Sequence, residues 1–170
     1  MHLLFSYHGL PVSHVKRSDS SGTHCQKVND CCTIGVKGNA SCYGHHCTLT
    51  TLAVIEELVL EDDKWSISYQ SRLGPAKWLQ PSTMKTVEDL AAQGITKLVI
   101  VSPAFLADGL ETLEELDIEI REHFAEHGGQ ELTVVNCLND DPLWIDGLCS
   151  LILKRFDSFA KTSLPLVQPQ

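Results

Sequence analysis

The chain has 170 residues, 43% of them apolar, with 13 Lys and Arg against 22 Asp and Glu and a formal net charge of −9. That length suits one domain with a substantial core, and the acidic balance argues against a nucleic-acid partner, which needs a basic footprint. No apolar run approaches the roughly 20 residues of a membrane span; the longest, LVIVSPAFLA, is interrupted by Ser102 and Pro103.

In chain order, LLFSY (3–7) is a short strand-like run that ends at a His-Gly-Leu-Pro turn. Residues 17–46 are rich in Ser, Gly, Asn, His and Cys and hold almost no large apolar residue, so burial alone cannot order them. An amphipathic stretch follows at 47–61, then the β-rich WSISYQ (65–70). SRLGPAKWLQP (71–81) reads as a long loop with an exposed Trp78. Residues 82–93 carry a helical pattern with Pro81 early and Gly94 just past the end, without a clear cap at Thr83. KLVIVSP (97–103) is a continuous apolar run of the kind buried on both faces. The stretch 110–127 reads as a helix stopped by Gly128 and Gly129. LTVVNC (132–137) is a fourth strand, and 141–158 a closing helix. This alternation predicts an α/β fold, an open parallel four-stranded sheet with helices on both faces. The expected organisation is one domain over 1–159, an insert at about 18–46, and a disordered tail at 160–170 that contains two prolines.

Open parallel sheets bind ligands outside the carboxyl ends of their strands. That edge selects His8, Gly9 and Pro11; Gln70, Ser71, Arg72 and the Trp78 loop; Ser102, Phe105, Asp108 and the helix near Leu110; and Asn139, Asp140 and Asp141. Neither GxGxxG nor GxxxxGK[ST] is present, so a nucleotide is not the obvious ligand. His8 stands where a general base or metal ligand could work, or where a histidine could simply pack. Glu111, Glu115 and Glu119 fall four residues apart on one helical face. They form either a solvated acidic face or a path for a divalent cation. His14, His123 and His127 read as surface residues.

Seven cysteines are present, five of them (Cys25, Cys31, Cys32, Cys42, Cys47) close together and interleaved with His24, His45 and His46. Cys137 and Cys149 read as small core residues. The rest of the chain suits a cytoplasmic setting, where disulfides are rare, so a metal or redox site is the better reading of the five. Four thiolates in a polar loop could hold a 2Fe–2S cluster or a structural zinc, and binding would supply the order that burial does not. Adjacent Cys31 and Cys32 are not expected to serve one small cluster together, because neighbouring side chains diverge.

LLFSYHGLPVS, WSISYQSRLGPAKWLQPST, IVSPAFLADGLETLEELDIEIRE and CLNDDPLWIDGL, in that order, resemble the carboxyl-terminal half of ferrochelatase. The resemblance covers residues 3–148 except the insert, and implies one of two similar α/β domains that flank a cleft. It implies a lyase that inserts ferrous iron into a porphyrin, protoporphyrin IX or coproporphyrin III, in haem biosynthesis. On this resemblance His8 and Glu111 are the catalytic pair and metal ligands, and Glu115 is a further metal-conducting position. Leu10, Pro11, Gln70, Ser71 and Trp78 match positions that line the porphyrin pocket. The family precedent favours a 2Fe–2S cluster over zinc; the expected ligands are Cys25, Cys32, Cys42 and Cys47, with Cys31 the alternative to Cys25 or Cys32. Two departures stand out: Gly109 occupies a position where many eukaryotic members have histidine, and the cysteines are internal rather than in the tail. The resemblance also implies a missing amino-terminal half or a second subunit as partner, and peripheral contact with a membrane. The competing expectation is a non-catalytic module, stabilised by iron–sulfur or zinc, that binds porphyrin or a partner protein.

Overall fold

The computed structural model describes residues 1–35 and 39–163, with side chains through Phe156. The chain divides into two compact units, Met1–Cys137 and Leu138–Gln170. In the first, β1 (His2–His8), β2 (Trp65–Gln70), β3 (Lys97–Val101) and β4 (Glu131–Val134) form a four-stranded sheet in the order β2-β1-β3-β4. Every neighbouring pair is parallel, as the four alternating periods predict. The register sets His8 beside Gln70 and Phe5 beside Val101, so β1 and β2 end together, past the end of β3.

Side-chain alternation divides the core between the two faces of the sheet. Leu4 turns to one face, where it meets Val87 and Leu90 of α3 (Thr83–Ala92), Leu98 and Ile100 of β3, and Leu132 of β4. The same cluster takes Leu116 and Ile120 of a π-helix (Glu111–Ile120) and Phe124 of α4 (Arg121–Glu126). Phe5 and Tyr7 turn to the other face, against Val15 of α1 (Val12–Arg17), Ile55 of α2 (Tyr43–Leu58), Tyr69 and Leu79. Helices therefore cover both faces.

Four local features differ from the sequence reading. Helix α3 does have a cap: Ser82 takes that position and its Oγ accepts from the Lys85 N–H at 3.4 Å. Helix α2 begins at Tyr43 rather than 47, so Cys47 lies within it. Trp78 is half-buried rather than exposed, because the 71–81 loop folds back on β1: Val12 N–H donates to the Lys77 carbonyl (2.7 Å) and Leu79 N–H to that of Leu10 (3.0 Å). The stretch 110–127 is not a uniform α-helix. Ten residues of it form a π-helix, a turn closed by i→i+5 bonds that often marks functional sites. Thr112, Leu116 and Ile120 are buried at four-residue spacing, and a turn slightly longer than four residues keeps them near one line.

In the second unit, α5 (Pro142–Ser163) starts with proline at its first position. The Asp141 carboxylate accepts from the N–H groups of Leu143 (2.9 Å) and Trp144 (3.3 Å). The helix runs past 160, the expected start of the tail; residues 164–170 lie outside those described. Cys149 is exposed on this helix and Cys137 only half-buried, so neither is the core residue the sequence suggests. No helix of the described residues is long and apolar enough to cross a membrane.

Candidate active site

The carboxyl edge of β1 and β2 opens into a cleft of about 640 Å³ lined by His8, Ser71, Arg72, Leu73, Trp78, Leu110, Glu111, Glu114, Glu115 and Glu119. His8 is the last residue of β1 and is half-buried. The Tyr43 hydroxyl donates to its carbonyl (2.9 Å) and Phe105 meets its ring edge-on, centroids 6.1 Å apart. The next residue must be small: the Gly9 N–H donates to the Gln70 carbonyl at 2.7 Å, and a Cβ on Gly9 would stand 2.7 Å from that same oxygen. This close approach fixes the backbone immediately after His8 against the end of β2.

The π-helix forms the opposing wall. Its entry is pinned by Asp108, whose carboxylate accepts from the Thr112 hydroxyl (3.0 Å) and the Cys137 N–H (3.2 Å). Its first half is tied to the end of β2 at two points. Gln70, 2% exposed, accepts from Ser6 Oγ (2.6 Å) and donates to the Glu111 carbonyl (3.0 Å). Ser71, in a left-handed backbone conformation (φ 62°), gives its N–H and its hydroxyl to the two oxygens of Glu115, at 2.6 and 2.5 Å. Charge-assisted bonds of this kind are roughly twice as strong as neutral ones and hold Glu115 in one orientation. Glu111 and Glu115 are half-buried, Glu114 and Glu119 exposed, so the acidic line runs from the cleft out to solvent.

The structure thus brings together His8, Glu111, Glu115, Ser71 and Trp78 in one cleft. Gln70 stands behind it as a strut, and Leu10 and Pro11 are not among its lining residues. Asn139, Asp140 and Asp141 belong to the second unit. Leu73 escapes the sequence reading as a cleft residue; with Leu110, which the edge rule does mark, it forms an open apolar rim, the two being 83% and 74% exposed. An apolar residue that faces solvent at the end of a buried strand or helix start has no periodic signature.

The cysteine segment packs on the Phe5 and Tyr7 face, and three of its thiols are core residues: Cys25, Cys42 and Cys47 are 5%, 3% and 3% exposed. This departs from a segment that burial does not order. Its turn is organised by Asp19, whose carboxylate accepts from the Ser21 hydroxyl (2.6 Å), the Cys25 N–H (2.8 Å) and the His24 N–H (2.9 Å). These bonds, the Ser21 and Cys25 ones foremost, hold the carboxyl well below the usual range. The sulfurs of Cys31 and Cys32 lie 4.0 Å apart and do not diverge. Burial, then the neighbouring thiols Cys42 and Cys31, push the Cys25 thiol up to about 11. Burial and then Cys31 push Cys32 up to about 12. Burial also pushes Cys47 up to about 12. Burial thus favours the neutral form of these thiols; among the described residues no three of the cysteine sulfurs lie within 4.8 Å of one another, so ligation of one ion would require them to move together. The imidazoles beside them are engaged with backbone: His24 Nε2 donates to the Cys31 carbonyl (2.8 Å) and His45 Nδ1 to that of Cys32 (2.6 Å).

A model of the ferrochelatase family matches residues 1–156. Ferrochelatase of Pseudomonas fluorescens (strain Pf0-1) is 46% identical over 151 residues, 88% of this chain and 44% of that protein. Ferrochelatase of Pseudomonas syringae pv. tomato is 48% identical over 143 residues, 84% of this chain and 42% of that protein. The chain therefore spans less than half the length of these curated relatives. Among solved structures, a cobalamin (vitamin B12) biosynthesis CbiX protein from Marinobacter aquaeolei VT8 matches with a TM-score of 0.50 and 16% identity, covering 92% of this chain and 98% of that one. That likeness bears on the fold alone.

Proposed function

The chain belongs to the ferrochelatase family, and from that premise we propose that it supplies the metal-handling wall of an enzyme that inserts Fe²⁺ into a porphyrin in haem biosynthesis. The observation that carries this reading is the facing of His8 and a half-buried carboxylate line across one cleft.

Metallation removes two pyrrole protons and strips water from Fe²⁺. In its neutral form His8 has a ring nitrogen lone pair to accept a pyrrole proton or to ligate iron. Glu111 and Glu115 replace waters of hydration as the ion moves inward from exposed Glu119, hard oxygens being suited to a labile divalent ion. Ser71 keeps Glu115 aimed without taking its charge. Trp78, Leu73 and Leu110 offer apolar surface for the flat macrocycle, and burial there offsets the cost of buckling it. The open rim needs a second wall, from an amino-terminal domain or a second subunit. Leu10, Pro11 and Gln70 act from behind, as supports of the Trp78 loop and of β2.

The cysteine segment is assigned a 2Fe–2S cluster on Cys25, Cys32, Cys42 and Cys47, with Cys31 as the spare and zinc as the lesser alternative. Such a cluster would supply charge and cross-linking to the segment. A cytoplasmic location, where thiols stay reduced, belongs to the same reading.

Iron insertion should be measured for this chain alone and for this chain joined to the amino-terminal segment of the Pseudomonas fluorescens relative. The joined protein is expected to metallate porphyrin at least 100-fold faster than the chain alone. Porphyrin binding without metallation by the joined protein would instead identify a non-catalytic binding module.

A further inference from the structure

Away from the cleft and the cysteines, a third group of donor side chains converges on the α3–α4 surface. Glu88 of α3, His123 of α4 and His127, which follows the last residue of α4, place one ligand atom each within 4.8 Å of one another. None of them lines the cleft at His8. The two histidines are four residues apart, so successive helical turns carry them to the same side. Their ring centroids are 4.2 Å apart.

Two further observations give this group the character of a ligand set. His127 Nδ1 lies 2.8 Å from the His123 carbonyl, which can only accept, so Nδ1 carries the proton and the neutral ring has its lone pair on Nε2. A backbone carbonyl that orients an imidazole in this way is the usual outer support of a metal ligand. His123 Nε2 is buried and has no hydrogen-bond partner among the described groups, a state that costs free energy unless something else satisfies it. Glu88 currently bonds Lys85 at 3.1 Å, but Lys85 also holds Asp89 at 2.6 Å and keeps that partner when Glu88 turns away.

We propose that Glu88, His123 and His127 bind one Zn²⁺ ion, with water in a fourth position. Two imidazoles and a carboxylate form a borderline-soft set that takes Zn²⁺ ahead of Fe²⁺ and with tetrahedral geometry. Ligands about 2.1 Å from such an ion sit about 3.4 Å from one another, so closure needs side-chain movement of about an ångström. The ion would clasp α4 to α3, and α4 continues directly from the π-helix. The acidic chain favours the cation.

Cobalt(II), a spectroscopic substitute for Zn²⁺, separates this site from the thiols. The full chain titrated with Co²⁺ is expected to take up one equivalent that shows visible d–d absorption without sulfur-to-metal charge transfer and that Zn²⁺ displaces. His123→Ala and His127→Ala should each weaken that equivalent at least 100-fold, and Glu88→Gln about tenfold. The far-UV spectra of the variants at exposed His127 and half-buried Glu88, His127→Ala and Glu88→Gln, should match the parent. Co²⁺ uptake that shows only sulfur charge transfer, or that is equal in the parent and in His127→Ala and Glu88→Gln, would overturn the proposal.

Discussion

On one face of the sheet, Leu4, Val87, Leu98, Leu116 and Phe124 close on one another as hydrocarbon. On the other, Phe5 and Tyr7 meet Val15, Tyr69 and the thiols of Cys25, Cys42 and Cys47. The first face anchors the π-helix, so the positions of Glu111 and Glu115 rest on ordinary apolar packing and on two hydrogen-bonded ties to β2. The second face holds a segment whose polar turn depends on one aspartate and on thiols that burial keeps neutral. The two parts of the molecule should therefore fail separately: the cleft through its apolar core, the cysteine segment through its Asp19 turn, its buried thiols and the cluster proposed for it.

The largest separation should come from removing the proposed cluster, whose oxidative loss or chelation is expected to lower, without abolishing, hydrogen-exchange protection in the cysteine segment, because ligation would add to the burial that already orders Cys25, Cys42 and Cys47. The amides of β1 and β3 should stay protected. Simultaneous loss of protection in the sheet would make the two faces one cooperative unit. Conversely, Leu116→Ala empties fully buried space beneath the π-helix and should destabilise the chain by about 2–5 kcal/mol in urea unfolding. Its visible absorption should be unchanged.

A smaller effect should distinguish the Asp19 turn. Hydrogen bonds depress the folded-state value of Asp19 below its unfolded value of about 3.9. Its contribution is therefore fully present above that value and is lost as pH falls through the lower folded one. Metal-free protein should lose near-UV signal from the segment on acidification below about pH 4, and Asp19→Asn should remove that step. An unchanged acid transition in Asp19→Asn would assign it to other carboxylates.

The strands, their parallel order and the two-faced burial were legible because hydrophobic period is a local signal; WSISYQ coincides with β2 residue for residue. The edge rule selects His8, Ser71, Trp78 and Glu111, all of which line the cleft. The π-helix was not legible, since Glu111, Glu115 and Glu119 at four-residue spacing suit an α-helix nearly as well. The burial of Cys42 and Cys47 was hidden because α2 begins at Tyr43, four residues before its apolar pattern does. Gln70 reads as a ligand-facing residue in the sequence; its burial and its bonds to Ser6 and Glu111 depend on residues distant along the chain and have no local signature. His123 and His127 read as surface, since Glu88 lies 35 residues before the first of them.

One histidine and one carboxylate, presented by β1 and the π-helix, are proposed to perform the chemistry of this edge. The most direct measurement is single-turnover Fe²⁺ insertion into porphyrin by the joined protein carrying His8→Ala or Glu111→Ala. Each substitution is expected to slow metallation at least 100-fold while porphyrin binding and the far-UV spectrum remain unchanged; insertion within about threefold of the parent in both variants would contradict the account.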